Sequence, residues 1–152
     1  MIPPPFDSIV CPIDFSACSA NALRWAVWLA QTSNKPLRLL HAVHIDMPGY
    51  LTPKHREDIL EQWAKVRTEA EAHLRSWVQP HIPEGLDVHF EVSDAPPVEA
   101  IIAAAHRENS WVVMGTHGRT GWREVWMGSV TTRTIEQAKV PVLAIPPDKK
   151  LC

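Results

Sequence analysis

Apolar residues fall into short runs separated by longer amphipathic stretches. Ser8-Ile9-Val10-Cys11-Pro12-Ile13 has strand length and is almost wholly apolar. Pro12 has no N–H to donate, so ladder pairing is expected to stop there. Asp14-Phe15-Ser16 follows, with Ser16 placed to cap a helix running to about Gln31. The apolar stripe of that helix is Ala20, Leu23, Ala26, Val27 and Ala30. Asn34-Lys35-Pro36 breaks it, and Leu37 to Val43 predicts a second strand. Asp46 to Pro53 carries Pro48, Gly49 and Pro53 and reads as a loop. A long helix is predicted from Lys54 to Val78, with Ile59, Trp63, Val66, Ala70, Leu74 and Trp77 as its apolar stripe. Pro80 and Pro83 close it.

The pattern then changes. Leu86, Val88, Phe90 and Val92 alternate with Asp87, His89 and Glu91, as in a strand with one wet face. The other runs are continuous, as in parallel strands covered on both faces. Leu86 to Val92 is therefore expected at the sheet edge. Pro96 and Pro97 suit a helix start, and Val98, Ile101, Ile102 and Ala105 give that helix its buried face. Trp111 to Met114 and Val140 to Ile145 complete five strands, with a helix from Val130 to Ala138 between them. The order βαβαβαβαβ predicts one α/β domain over residues 1–152. Its sheet is open, doubly wound and parallel, with helices on both faces and strand order 3-2-1-4-5.

That order has a chemical consequence. Ligands of open α/β sheets lie beyond the strand carboxyl ends where strand order reverses. Here the reversal falls between strands one and four, so Asp14 and Gly115 should converge. Gly115-Thr116-His117-Gly118-Arg119 runs on to Gly128-Ser129, giving Gly-x2-Gly-x9-Gly-Ser between a strand and a helix. Glycines let backbone N–H groups approach an anion, and a helix N-terminus adds free donors and positive potential. The loop has neither the Lys of a Walker motif nor a Gly-x-Gly-x-x-Gly pattern. Phosphates would thus be held by backbone N–H groups, Ser129 and Thr131. Asp14 can accept from ribose hydroxyls.

The remaining candidates have simpler readings. His41 and His44 lie three apart on a strand and so point to opposite faces, which disfavours a metal site with Asp46. His117 can meet a phosphate or remain a polar loop residue. Trp122 and Trp126 can pack as a short helical turn, cover the site or serve a partner. Arg119, Arg123 and Arg133 can neutralise phosphate or remain solvated. No Ser/His/Asp or Cys/His triad is suggested, and the acidic residues of the long helix read as its wet face.

Composition narrows the partners. The net charge of −2 gives no electrostatic case for nucleic acid or a membrane surface. No apolar run approaches the roughly 20 residues of a membrane span. Cys11, Cys18 and Cys152 make no paired framework, which favours a reducing compartment. Met1-Ile2-Pro3-Pro4-Pro5 lacks the features of a signal peptide.

These residues resemble the universal stress protein family, from about Pro5 to Pro146. Four segments carry the resemblance: Ile9 through Ser16, Leu39-Leu40-His41-Ala42-Val43, Val113 through Ser129, and Pro141-Val142-Leu143-Ala144-Ile145. The glycine spacing is that of the ATP-binding branch. The resemblance implies a cytoplasmic homodimer joined by antiparallel pairing of Val140 to Ile145. It also implies bound ATP with Mg²⁺ or Mn²⁺ bridging the phosphates. Matched by position, Pro12, Ile13 and Asp14 would line the adenosine end, and Ala42 would meet adenine through its backbone. Met114 and Gly115 would border the ribose. His117, Gly118, Gly128, Ser129, Val130 and Thr131 would surround the phosphates.

Asp94-Ala95-Pro96-Pro97, Asn109-Ser110-Trp111 and the small Ala42 depart from the family pattern and weaken the case for ATP over other adenine nucleotides. The implied role is regulatory, with nucleotide occupancy biasing the dimer or an unidentified protein partner. Two alternatives stay open. One is slow ATP hydrolysis or self-phosphorylation on Ser129, Thr131 or Thr132. The other is a dimeric interaction module without nucleotide.

Overall fold

Strands form where the apolar runs lie, and each stops where backbone chemistry interrupts it. The computed structural model describes residues 5–44, 52–117 and 127–148. Five strands make one parallel sheet: β1 (Ile9–Pro12), β2 (Leu37–Ala42), β3 (Val88–Ser93), β4 (Trp111–Gly115) and β5 (Val142–Ile145). Their order is β3-β2-β1-β4-β5. Between them run α1 (Ala17–Ser33), α2 (Pro53–Val78), α3 (Pro97–Arg107) and α4 (Ser129–Gln137). A short 3-10 turn, Gln79–His81, follows α2.

The helix starts have local causes. Ser16 caps α1, its side chain accepting from the Ser19 N–H, and Asn34 ends the helix in the left-handed region. Thr52 caps α2, and Pro53 begins it, where a missing N–H costs nothing. Pro96 and Pro97 open α3. Asp46 and most of the loop before α2 lie outside the described residues, as do Gly118, Arg119, Trp122, Arg123, Trp126 and Cys152.

Alternate residues of the strands feed two cores. Ile9, Cys11, Leu39, Val113 and Ile145 face α1 and the end of α2. Val10, Leu40, Val112 and Met114 face α3, with Val130 of α4 at the margin. Burial pushes the Cys11 thiol pKa far up, so this cysteine stays an uncharged core residue.

Three expectations need correction. First, the apolar stripe of α2 is covered only in part. Leu74 and Val78 are its buried residues, Ile59, Trp63, Ala70 and Trp77 are half-buried, and Val66 is exposed. The cause is length: 26 residues span about 39 Å, whereas the six residues of β2 span about 20 Å. Phe15, just past β1, already touches His73 and Trp77 near the end of α2. The earlier turns therefore run beyond the sheet. Second, Ile102 of α3 is only half-buried, and Ala100 and Ala104 take the core positions with Val98, Ile101 and Ala105. Small alanines let α3 lie close to the sheet. Third, β5 begins at Val142 rather than Val140, since Pro141 has no N–H and contributes only its carbonyl, to Val112.

The amino edge of the sheet carries an ion-pair network. Arg38 of β2 bonds Glu91 of β3 and Glu108 after α3, and Arg107 reaches Glu91 at 2.7 Å. Burial alone would raise the Glu108 pKa. The Ser8 hydroxyl and the Arg38 guanidinium outweigh it and hold the carboxyl below its ordinary range. Among the described residues no helix is long and apolar enough to cross a membrane.

Candidate functional site

At the opposite edge, where the strand order reverses, β1 and β4 diverge toward different connections. A cavity of about 290 Å³ lies there. Eleven of the sequence-selected residues line it: Pro12, Ile13, Asp14, Ala42, Met114, Gly115, His117, Gly128, Ser129, Val130 and Thr131. Gly118 falls outside the described residues. The lining also includes Ser19, Leu40, His41, Pro97 and Ile101. Leu40, Ala42, Ile101, Met114 and Val130 give it an apolar interior, suited to a flat, weakly polar group.

Asp14 is held in place by its own turn. Its Oδ1 accepts from the Ser16 N–H at 3.0 Å and from the Ser16 hydroxyl at 2.6 Å. Ser16 Oγ in turn accepts from the Ser19 N–H at 3.1 Å. The following residue, Phe15, has φ +64°, a left-handed conformation unusual for a bulky side chain. Its ring is seated against His41, His73 and Trp77 at centroid distances of 4.6, 4.5 and 5.6 Å. The carboxylate thus sits on a turn over-determined by contacts on both sides.

His41 is the residue that sequence reasoning weighed only for metal. Its Nδ1 lies 2.7 Å from the Ile13 carbonyl, tying the end of β2 to the segment that carries Asp14. The usable signal was topological: His41 stands at the carboxyl end of the strand beside β1. His44 is exposed, with Nδ1 3.4 Å from the Asp94 carbonyl. Among the described residues no group of three His, Cys, Asp or Glu side chains could hold a metal.

The β4 side is built on close approach. A Cβ on Gly115 would lie 3.1 Å from the Cys18 carbonyl oxygen, so this glycine lets β4 reach the start of α1. Thr116 N–H donates to the Ile145 carbonyl at 2.9 Å, and Gly128 N–H donates to the Thr116 carbonyl at 2.7 Å, which ties the residue before α4 to the end of β4. α4 then starts without a side-chain cap. Ser129, Val130 and Thr131 occupy its first turn, where N–H groups have no acceptor within the helix. The Thr131 hydroxyl does not join them. It is buried and donates to the Gly115 carbonyl at 2.9 Å, so its proton is already engaged within the fold. Thr132 likewise donates to the Gly128 carbonyl. His117 Nδ1 lies 3.0 Å from the Thr116 hydroxyl. Arg133 is exposed on α4 and does not line the cavity.

An open parallel sheet, an acidic turn after β1 and a helix that starts at Ser129 after β4 define an α/β protein with a crevice at its switch point. Residues 5–146 match the universal stress protein family, and the chain belongs to it. The universal stress protein MJ0531 of Methanocaldococcus jannaschii is 26% identical over 146 residues, covering 95% of this chain and 85% of its own length. The solved structure of MJ0577, from the same organism, superposes with TM-score 0.75 at 25% identity, covering 95% of this chain and 98% of the other. A universal stress protein from Archaeoglobus fulgidus, solved in complex with dAMP, shares the fold at TM-score 0.56 and 23% identity. It covers 92% of this chain and 98% of the other.

Proposed function

We propose that the cavity binds an adenine nucleotide, with ATP as the leading ligand, and that occupancy regulates contacts between copies of the chain or with a protein partner. The observation that carries this reading is the convergence of the Asp14 carboxylate and the first turn of α4 on one apolar cavity. Adenine fits the space between Leu40, Ala42, Ile101 and Met114. Asp14, which lines the cavity, would accept from the ribose hydroxyls. The first-turn N–H groups of Ser129, Val130 and Thr131 would meet the phosphates, and His117 lines the same cavity. A cavity of about 290 Å³ suits the nucleoside and first phosphate, so a longer tail would extend beyond it. A Mg²⁺ or Mn²⁺ ion would take its ligands mainly from phosphate oxygens and water, which suits a crevice lined, among the described residues, by a single carboxylate. The dAMP complex of the Archaeoglobus fulgidus protein supports the ligand class.

Isothermal titration with ATP and Mg²⁺ tests the reading, with saturable heat as the expected result. Absence of heat at millimolar nucleotide would overturn it. Anion exchange of the supernatant from denatured protein identifies any nucleotide that co-purifies. Ser129 is exposed at the phosphate end, which favours a second reading, slow self-phosphorylation. Mass measurement after incubation with ATP separates the two. The proposal includes a homodimer joined through β5, an apolar strand paired only with β4 among the described residues.

A further inference from the structure

Trp25 and Trp28 of α1 are 47% and 55% exposed, an unusual cost for the two largest apolar side chains on one helix. Their rings meet edge to face at 6.0 Å, so they form one raised aromatic surface. The direction this surface faces follows from helix geometry. Asn21, Trp25 and Trp28 are spaced i, i+4, i+7 and share a face. Asn21 Nδ2 donates to the Pro146 carbonyl at 3.1 Å, so that face turns toward β5. α1 runs antiparallel to the strands, and each of its residues rises about 1.5 Å against about 3.3 Å for a strand residue. Trp25 and Trp28 therefore stand level with Ala144 and Leu143. Leu143 is in register with Val113 and projects from the same sheet face as α1, where it is 41% exposed.

β5 itself supplies the second half of the argument. The Val112 N–H bonds the Pro141 carbonyl and the Thr116 N–H bonds the Ile145 carbonyl. By the alternation of a parallel ladder, Leu143 also turns its backbone to β4, and Val142 and Ala144 turn theirs outward. The strand edge beneath the tryptophans thus offers a row of donors and acceptors spaced to pair with another extended strand.

We infer that Trp25, Trp28 and Leu143 form an apolar seam that a second copy of this chain covers. The inference rests on the proposed β5 pairing and extends it to a helix face. Two antiparallel β5 strands related by a two-fold axis require that axis to be perpendicular to the sheet. Both α1 helices then lie on the same side, flanking the join, and their tryptophans meet over the paired Leu143 side chains. The exposed halves of the two tryptophans amount to about 200 Å² per copy, about a quarter of the ~800 Å² each partner gives to a stable interface. The strand edge and its neighbours contribute the rest.

Sedimentation velocity on the full chain tests this with two variants. Trp25→Gln/Trp28→Gln removes the seam and leaves the strand edge. Ala144→Pro removes an outward N–H and leaves the β4 ladder. The wild type is expected to dimerise. The tryptophan variant should weaken dimerisation by about tenfold or more while keeping the wild-type far-ultraviolet spectrum. A wild-type dimer that Ala144→Pro dissociates, but that the tryptophan variant forms with unchanged affinity, would overturn the seam and leave the strand pairing standing. A wild type monomeric at every concentration would overturn both and assign the tryptophans to a different partner.

Discussion

Asp14 spends one carboxylate oxygen on its own turn, through the N–H and hydroxyl of Ser16. That separates its structural contribution from the one proposed for it in ligand binding. Asparagine keeps an oxygen for Ser16 but loses the charge, and alanine loses both. Asp14→Asn is therefore expected to stay within about 1 kcal/mol of the wild type in urea denaturation, and Asp14→Ala to lose about 1–2 kcal/mol. Both should weaken adenine-nucleotide binding about tenfold, the loss of one charge-assisted hydrogen bond. Equal binding by the wild type and Asp14→Asn would remove the carboxylate from the ligand contacts. Gly115 poses the opposite case, in which the atom that matters is the one missing. An added methyl 3.1 Å from the Cys18 carbonyl oxygen and 3.2 Å from its carbon meets backbone, which cannot rotate away. Gly115→Ala should lose about 1–3 kcal/mol of stability by overpacking. An unchanged denaturation midpoint would show that α1 can retreat from β4 freely.

Which elements were legible from the sequence follows from what each one needed. The strand order and the edge position of β3 came from alternation in residues 86–92 and from the continuous runs elsewhere. Those patterns are written by burial on one face or two. The convergence of Asp14 with Gly115 and the start of α4 came with the topology. The coverage of α2 was not legible, because its periodic stripe reports which side of the helix is apolar and not how far the sheet beneath it extends. The seat of Phe15 among His41, His73 and Trp77 was equally hidden, being a contact between three elements distant in sequence. So was the ion-pair network at the amino edge, since Arg38, Glu91 and Glu108 carry no pattern of their own. That network has a testable signature in pH. Glu108 titrates below its ordinary range in the folded chain, so its contribution is present above the unfolded value of about 4.3 and is lost as pH falls through the lower folded value. Glu108→Gln should therefore flatten the acid limb of the stability profile while leaving the slope near neutrality unchanged. An acid limb identical in the two proteins would mean that Arg38 and Ser8 do not favour the charged carboxylate.

For the whole molecule, the cavity ties together parts of the chain that are otherwise joined only through the sheet. Its walls come from the turn after β1, the end of β2, the start of α3, the end of β4 and the start of α4. A ligand that touches all five is bound by the folded chain and by no unfolded one, so its affinity appears as stability. At a free nucleotide concentration about 100 times Kd the gain is about 2.7 kcal/mol. For a chain of this size each kcal/mol moves the melting temperature by about 2–4 °C, so ATP with Mg²⁺ should raise it by about 5–11 °C. Adenosine retains the base slot and the Asp14 contact but leaves the first turn of α4 without its anion, so at equal concentration its shift should be smaller. Inorganic phosphate reaches only the α4 end and should give the smallest shift of the three. This ranking separates the two halves of the site. Equal shifts from ATP and adenosine would mean that the free N–H groups of Ser129, Val130 and Thr131 contribute nothing. Equal shifts from ATP and phosphate would mean that the apolar slot between Leu40, Ala42, Ile101 and Met114 takes no base.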